Sequence, residues 1–425
     1  MNAKRWWLVG AVVVAVALVA TMVALFLTGR TSAPMITVGP SSAPSPGQST
    51  TALPPSSASP APAPASSAPA PSVASTKGVA EAKLAELSLE QKVGQVLMVS
   101  SPVTGADANS LYALDTLIVG NVFVKGRSTA GQSAIASQVS ALTSHISGSR
   151  TAGILPFVAT DQEGGLVQIM QGPGFADMPQ AIEQGQLSAA VLQSQATEWG
   201  KQLSAVGVNV NLAPVMDTVP GADFAPQNAP IGAFGREYGY TPAEVSSHGI
   251  AFAKGMQAGG IDPTIKHFPG LGRVTQNTDV EASVVDEVTV RNDAYVGPFR
   301  DAVKAGAPWL MISNASYPQI DPKKLAPFSP IIVHDMVRGD LAFKGIIVSD
   351  DICDAVQVAS VPVSERGVLF LKAGGTMALC TNQALLPQMY AGMLKTAQND
   401  PGFAATLDAA ALVVLKMKVD RGLVN

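Results

Sequence analysis

Two stretches carry residue types that could do chemistry at a defined spacing. The first, IKHFPGLGRVTQNTDV (265–280), sets Lys266 beside His267, breaks at Pro269-Gly270, and ends in Asn277-Thr278-Asp279. The second, VRGDLAFKGIIVSDDICDA (337–355), runs through an apolar strand-like segment into Ser349-Asp350-Asp351. A carboxylate at the end of a buried strand, opposite a second proton-transferring group, has what is needed to attack an anomeric carbon. The other reading of Asp350-Asp351 is a pair of helix-capping side chains at a strand–helix turn. The two are compatible, with Asp351 as the cap and Asp350 facing a pocket.

The elements that must hold these residues recur regularly from Lys77 onward. Eight short apolar runs read as strands: 93–100, 120–124, 155–160, 208–213, 262–267, 309–314, 345–350 and 376–380. They are continuously apolar rather than alternating, as in parallel strands covered on both faces. Between them lie helix candidates at 128–147, 180–205, 241–258, 288–305, 328–340 and 361–373. Eight βα repeats predict an α/β chain folded as a (β/α)8 barrel of TIM type, in one catalytic domain. A doubly wound open sheet is the alternative, but no glycine fingerprint of a dinucleotide site follows the first strand.

In such a barrel chemistry sits where strands end. The strand ends here are polar: Asp161 with Glu163, Asp217, Lys266 with His267, Asn314 with Tyr317, Asp350 with Asp351, and Thr381 with Asn382. A ring of carboxylates, amides, one Lys and one His suits a polyhydroxylated ligand. No cofactor or metal is expected. The four histidines, His145, His248, His267 and His334, are scattered, and no pair has metal-ligand spacing. His145, His248 and His334 read as surface or packing residues on helices.

The formal charge of −4 leaves no electrostatic footprint for nucleic acid. Lys4 and Arg5 precede 22 uncharged residues, Trp6 to Leu27, long enough as a helix to cross a bilayer. Residues 1–30 therefore read as a signal anchor with its basic end cytoplasmic. A cleaved signal is the alternative, and both readings export the rest. Residues 31–76 carry no charge and are rich in Pro, Ser and Ala. They read as a disordered, polyproline-stiffened linker reaching on the order of 100 Å, which suits a tether within a cell wall. The catalytic domain is then 77–425, on the outer side of the membrane and expected to be monomeric.

The stretch Met336-Val337-Arg338, Asp340, Gly345, Ile346-Ile347-Val348, Ser349-Asp350 resembles the active-site signature of glycoside hydrolase family 3. Further segments resemble the β-N-acetylglucosaminidase branch of that family in the same order. They are ATDQEGGLVQ (159–168), NLAPVMD (211–217), IGAFGREYG (231–239, two residues longer here), KHFPG (266–270) and YPQID (317–321). The resemblance covers about residues 80–420 and implies the single-barrel form. It implies Asp350 as nucleophile of a retaining glycosidase acting on terminal β-linked N-acetylhexosamine. It also implies that Asp161, Arg236, Lys266 and His267 hold the hydroxyls and N-acetyl group of an N-acetylglucosamine-containing glycan, through charge-assisted hydrogen bonds.

Several positions depart from the family pattern. Where the branch carries an Asp-Ser-His triplet with His as acid/base, this chain has Asn277-Thr278-Asp279, and Leu271 replaces a further His. Either Asp279 is the acid/base, with a carboxylate separation of about 5–5.5 Å, or Glu163 or Glu237 supplies the proton, or the site binds glycan without turnover. Pro269, Gly270 and Gly272 give the loop a hinge-like backbone. Leu166 stands where the family has Arg, and Asn314 where His is common. Sugar preference thus stays open between N-acetylhexosamine and a β-glucoside. Cys353 and Cys380 follow and end neighbouring strands, about 4.8 Å apart, which allows a disulfide.

Overall fold

The computed structural model describes residues 76–146 and 148–424. The anchor at 1–30 and the linker, up to residue 75, lie outside the described residues. Thr76, counted with the linker on sequence, is the first residue of a helix, Thr76–Glu86. Among the described residues, no helix is long and apolar enough to cross a membrane.

Eight parallel strands form the sheet: β1 (Leu97–Pro102), β2 (Asn121–Lys125), β3 (Phe157–Thr160), β6 (Val210–Asn211), β7 (Asp262–Phe268), β8 (Trp309–Ile312), β9 (Ile346–Ser349) and β10 (Ala378–Cys380). A small antiparallel hairpin, β4 (Gln162–Gly164) with β5 (Val167–Gln168), stands on the end of β3. The order is β10-β1-β2-β3-β6-β7-β8-β9. The remaining gap is bridged between β9 and β10, where Ser349 N donates to Met377 O at 3.1 Å and Met377 N to Ile347 O at 3.1 Å. The sheet thus closes as the barrel pattern predicts. Its strands are apolar along their length because side chains on one face fill the barrel and those on the other pack under helices.

The helices fall close to their expected positions, with informative differences. The first strand begins at Leu97 rather than at 93. Residues up to Gln95 belong to a helix, Leu89–Gln95, started by a capping box between Ser88 and Gln91. The segment 180–205 splits into a single turn, Ala181–Gln184, and a helix, Ala189–Ser204, which Ser188 caps afresh. Segment 288–305 is helical from Gly297–Lys304, preceded by a turn that Asp293 caps. Residues 331–340 form a π-helix. Two helices beyond β10, Leu386–Asn399 and Pro401–Asp420, complete the outer layer.

The bottom of the barrel is closed by buried side chains. Phe157 and Trp309, at the starts of β3 and β8, meet edge to face with centroids 4.9 Å apart. Lys418 of the last helix reaches in beneath them, donating to Gln95 Oε1 at 2.8 Å and Gly120 O at 3.1 Å. Burial holds its amine well below the usual lysine range. The opposite, C-terminal rim carries the polar residues.

Candidate active site

A cavity of about 270 Å³ opens at that rim. Asp161, Arg236, Lys266, His267, Asp279 and Asp350, the residues assigned on sequence to sugar binding, nucleophile and first acid/base candidate, line it. Asp351, Asp354 and Thr381 join them, over an apolar floor that includes Phe123, Leu212 and Met311.

One wall is cationic and locked. The register between β7 and β8 slips from Ile265↔Leu310 to Phe268↔Ile312, so one extra residue is accommodated on β7. A regular strand would send Lys266 and His267 to opposite faces. The bulge lets both line the cavity. Lys266 Nζ pairs with Asp161 Oδ1 at 2.7 Å and Glu163 Oε1 at 2.6 Å. Arg236 grips Glu163 with both ends of its fork, Nε to Oε2 at 2.8 Å and Nη2 to Oε1 at 2.7 Å. His267 Nδ1 lies 2.7 Å from Asp217 Oδ2, and Asp217 also accepts from Leu271 N at 2.8 Å. Nε2 of the ring is thereby turned toward Arg236 Nη2, 3.5 Å away.

This arrangement assigns the polar strand ends to two tiers. Asp161, Lys266, His267, Asp350, Asp351 and Thr381 line the cavity. Glu163, Asp217, Asn314, Tyr317 and Asn382 brace it from behind. Asn314 Nδ2 donates to Asp351 O at 2.8 Å, Tyr317 OH to Gly270 O at 2.8 Å, and Asn382 Nδ2 to Asp354 Oδ1 at 2.9 Å. His145, His248 and His334 are bound to Asp115, to the Glu244 and Leu187 carbonyls, and to Asp335, and none lines the cavity.

The other wall is acidic. Asp350 ends β9 and is half-buried. Its Oδ1 accepts the N–H of Asp351 at 2.8 Å. Among the described residues its second oxygen has no protein donor, which leaves it free toward the cavity. Asp351 is instead fully engaged by its neighbours: it accepts from Cys353 N at 2.9 Å, Asp354 N at 3.1 Å, and Thr381 N and Oγ1 at 3.0 and 2.5 Å. Asp350 thus faces the cavity, as one reading of the pair expected, but Asp351 caps no helix: the turn Val356–Val358 starts at Ala355 and the next helix at Pro362, both without a side-chain cap. Directly beneath, Cys353 and Cys380 form a disulfide with Cα atoms 4.9 Å apart.

Asp279 faces Asp350 from the β7 loop. Its carboxyl is raised to about 6, by partial burial and by the charges of Asp350 and Asp351, against the smaller opposing pull of His267 and Arg236. The residue as a whole still meets solvent. The neighbouring carboxylates are thus the firmer cause.

The loop carrying Asp279 is tied down at both ends rather than free to hinge. Asn228 Nδ2 donates to Leu271 O and Val274 O, and Gly272 approaches Thr218 O so closely that a Cβ would lie 1.8 Å from it. Val356 N donates to Asp279 O at 3.2 Å and Gln357 N to Thr278 O at 3.1 Å.

The two other acid/base candidates do not fit. Burial alone would raise Glu163, but Arg236 and Lys266 outweigh it and hold the carboxyl well below its usual range. Glu237 is lifted to about 7 by burial. It is 1% exposed and does not line the cavity, so its proton has no route to a ligand there.

Asp354 was not singled out on sequence. The signal was available, since it follows the Asp350-Asp351 strand end within one turn. The pairing of Glu163 with Arg236, 73 residues apart, has no local signal.

The glycosyl hydrolase family 3 N-terminal domain model matches residues 88–416. The chain belongs to this family. It is 31% identical over 242 residues to the β-hexosaminidase of Stenotrophomonas maltophilia strain K279a, covering 54% of this chain and 68% of that one. The crystal structure of β-N-acetylhexosaminidase from Beutenbergia cavernae superposes with a TM-score of 0.78 at 48% identity, over 79% of this chain and 99% of that one. Mycobacterium tuberculosis LpqI shares the fold, with a TM-score of 0.67 at 23% identity, over 82% of this chain and 97% of the other. The chain is therefore a β-N-acetylhexosaminidase-like O-glycosyl hydrolase of family 3, and the cavity at the C-terminal rim is its candidate active site.

Proposed function

We propose that this chain cleaves terminal β-linked N-acetylhexosamine by a retaining mechanism in which Asp350 is the nucleophile and Asp279 the acid/base. The observation that carries the reading is the convergence of Asp350, a free-edged carboxylate, and Asp279, a carboxyl held near pH 6, on one cavity whose opposite wall is cationic. The 48% identity to a β-N-acetylhexosaminidase supports the sugar class.

In the first step the free oxygen of Asp350 attacks C1 of the sugar. The C1–O bond to the leaving group breaks, and the Asp279 proton passes to the departing oxygen. The product is an ester between Asp350 and C1. That ester carries no charge, so one of the causes raising Asp279 disappears. Asp279, now ionised, becomes the base that takes a proton from water as the water oxygen attacks C1 and releases Asp350. Lys266, Arg236, Asp161 and His267 hold the hydroxyls and the N-acetyl group. Because Asp161 and Glu163 already fix Lys266 and Arg236, and Asp217 holds the His267 ring, little ordering is needed when the sugar enters.

Export of the domain on an N-terminal anchor, 1–30, and a Pro/Ser/Ala-rich tether, 31–75, belongs to the same proposal, with a cell-wall glycan as the natural source of substrate. The disulfide supports an oxidising compartment.

The test is hydrolysis of 4-nitrophenyl β-N-acetylglucosaminide by residues 76–425, beside Asp350→Ala and Asp279→Ala. Asp350→Ala is expected to lose at least ~10⁴-fold in kcat. Azide is expected to rescue Asp279→Ala, giving the β-glycosyl azide. An α-configured azide would replace retention with inversion, and full activity in Asp350→Ala would remove the nucleophile assignment.

A further inference from the structure

We infer that Val280 and Val356 form an apolar seat for the leaving group, so that the enzyme prefers aglycones presenting a hydrocarbon face next to the glycosidic oxygen. This rests on Asp279 as the proton donor.

The inference follows from volume and from proton transfer. A cavity of about 270 Å³ has room for one hexosamine with its substituents, and Asp350 lies in its wall. Everything beyond the glycosidic oxygen must rest on the rim. The group that protonates that oxygen marks which part of the rim. Val280 follows Asp279 in the chain, and the N–H of Val356 holds the Asp279 carbonyl at 3.2 Å. The leaving group therefore departs beside these two residues.

Isolated exposed valines are ordinary on any protein surface. This pair differs in two ways. Val280 is 69% and Val356 38% exposed, although the backbone on either side is fixed: Gln357 bonds Thr278 O, and its side chain bonds both N and O of Val284. The apolar side chains are thus presented by a clamped backbone and not by a free loop. Their neighbours Asp279, Asp354 and Ala355 line the cavity, so the two valines continue this edge outward as exposed apolar surface. An alkyl chain, or the C–H face of a following pyranose, would cover them and be freed from water as it did so.

The experiment compares methyl, butyl and hexyl β-N-acetylglucosaminides. Their leaving alcohols have nearly equal basicity, so the demand for a proton is constant and only apolar contact changes. In the native chain kcat/KM is expected to rise about 10-fold from methyl to hexyl, as partial burial of a few methylenes predicts. In Val280→Ser/Val356→Ser the hexyl-to-methyl ratio is expected to fall to near one. Reading the ratio within each protein cancels any general loss of folding or of proton transfer. A flat series in an enzyme that hydrolyses all three overturns the seat and leaves the glycosidase reading standing. A steep series that the double variant preserves overturns it as well, since the contact then lies elsewhere. No hydrolysis of any member, or of the nitrophenyl glycoside, removes the glycosidase reading and the seat together.

Discussion

The two walls of the cavity both carry carboxylates, yet these are held in opposite ways. On the β3–β7 side each carboxylate has a side-chain partner: Glu163 lies between Arg236 and Lys266, Asp161 sits on Lys266, and Asp217 bonds the His267 ring. On the β9 side Asp279, Asp350, Asp351 and Asp354 meet no cation among the described ion pairs, and only backbone and hydroxyl donors hold Asp350 and Asp351. A paired charge is spent on position. A charge left beside others of the same sign has its proton affinity raised. The difference separates the wall suited to binding from the wall suited to proton transfer.

The sharpest way to break that contrast is to remove the raised carboxyl. Asp279→Asn is expected to lower kcat on an alkyl glycoside by ~10²–10⁴-fold, the usual worth of general acid catalysis. Loss on the nitrophenyl glycoside is expected to be smaller at the first step, because that leaving group needs little protonation. The pH profile carries the sign. The acid form of Asp279 exists below about 6, so kcat/KM is expected to fall as pH rises through that value. The limb should vanish in Asp279→Asn. A limb that stays at the same pH would assign it to another group.

The next effect concerns the paired wall. Glu163→Gln keeps shape but removes the charge that Arg236 and Lys266 share. Two cations then face each other across a neutral amide, and their positions relax. The expected result is a ~10–100-fold loss in kcat/KM carried mostly by KM, since positioning of the sugar is lost while Asp350 and Asp279 are untouched. Glu163 is a positioning residue in this account. An equal fall in kcat with KM unchanged would instead tie it to the transition state.

The same contrast explains what the sequence could reveal. The eight strands were legible because each is a continuous apolar run, and their polar ends located the rim. Asp350, Asp279, Lys266 and His267 were legible as a pattern at two of those ends. The bracing pairs were not. Glu163–Arg236 and His267–Asp217 join residues 73 and 50 positions apart, and only the closed barrel brings them together. The bulge in β7 was hidden too, since adjacent Lys266 and His267 read as opposite-facing under strand periodicity. Segment 180–205 was read as one helix because its apolar spacing continues across Gly185. Gly185 approaches the Tyr238 carbonyl so closely that a Cβ there would lie 1.9 Å from it, and no local pattern signals that contact.

The smallest expected effect on activity tests how the acidic wall is held. The Cys353–Cys380 disulfide lies under Asp351 and joins the β9 and β10 loops. Those segments are also joined by Asp351, which accepts from Thr381 N and Thr381 Oγ1, by Asn382 Nδ2 to Asp354 Oδ1, and by Ile352 N to Leu379 O at 3.2 Å. A cross-link between residues 27 apart contributes about 3 kcal/mol through the unfolded chain. Cys353→Ser/Cys380→Ser is therefore expected to lower Tm by several degrees while kcat at 25 °C changes less than about twofold, because four hydrogen bonds still set the loop that carries Asp350. The two measurements separate two designs. A loss of Tm alone means that hydrogen bonds position the acidic wall and the covalent bond only limits unfolding. A fall in kcat at a temperature where the variant remains folded means that the disulfide itself aims Asp350, and that the acidic wall is braced covalently where its opposite is braced by charge.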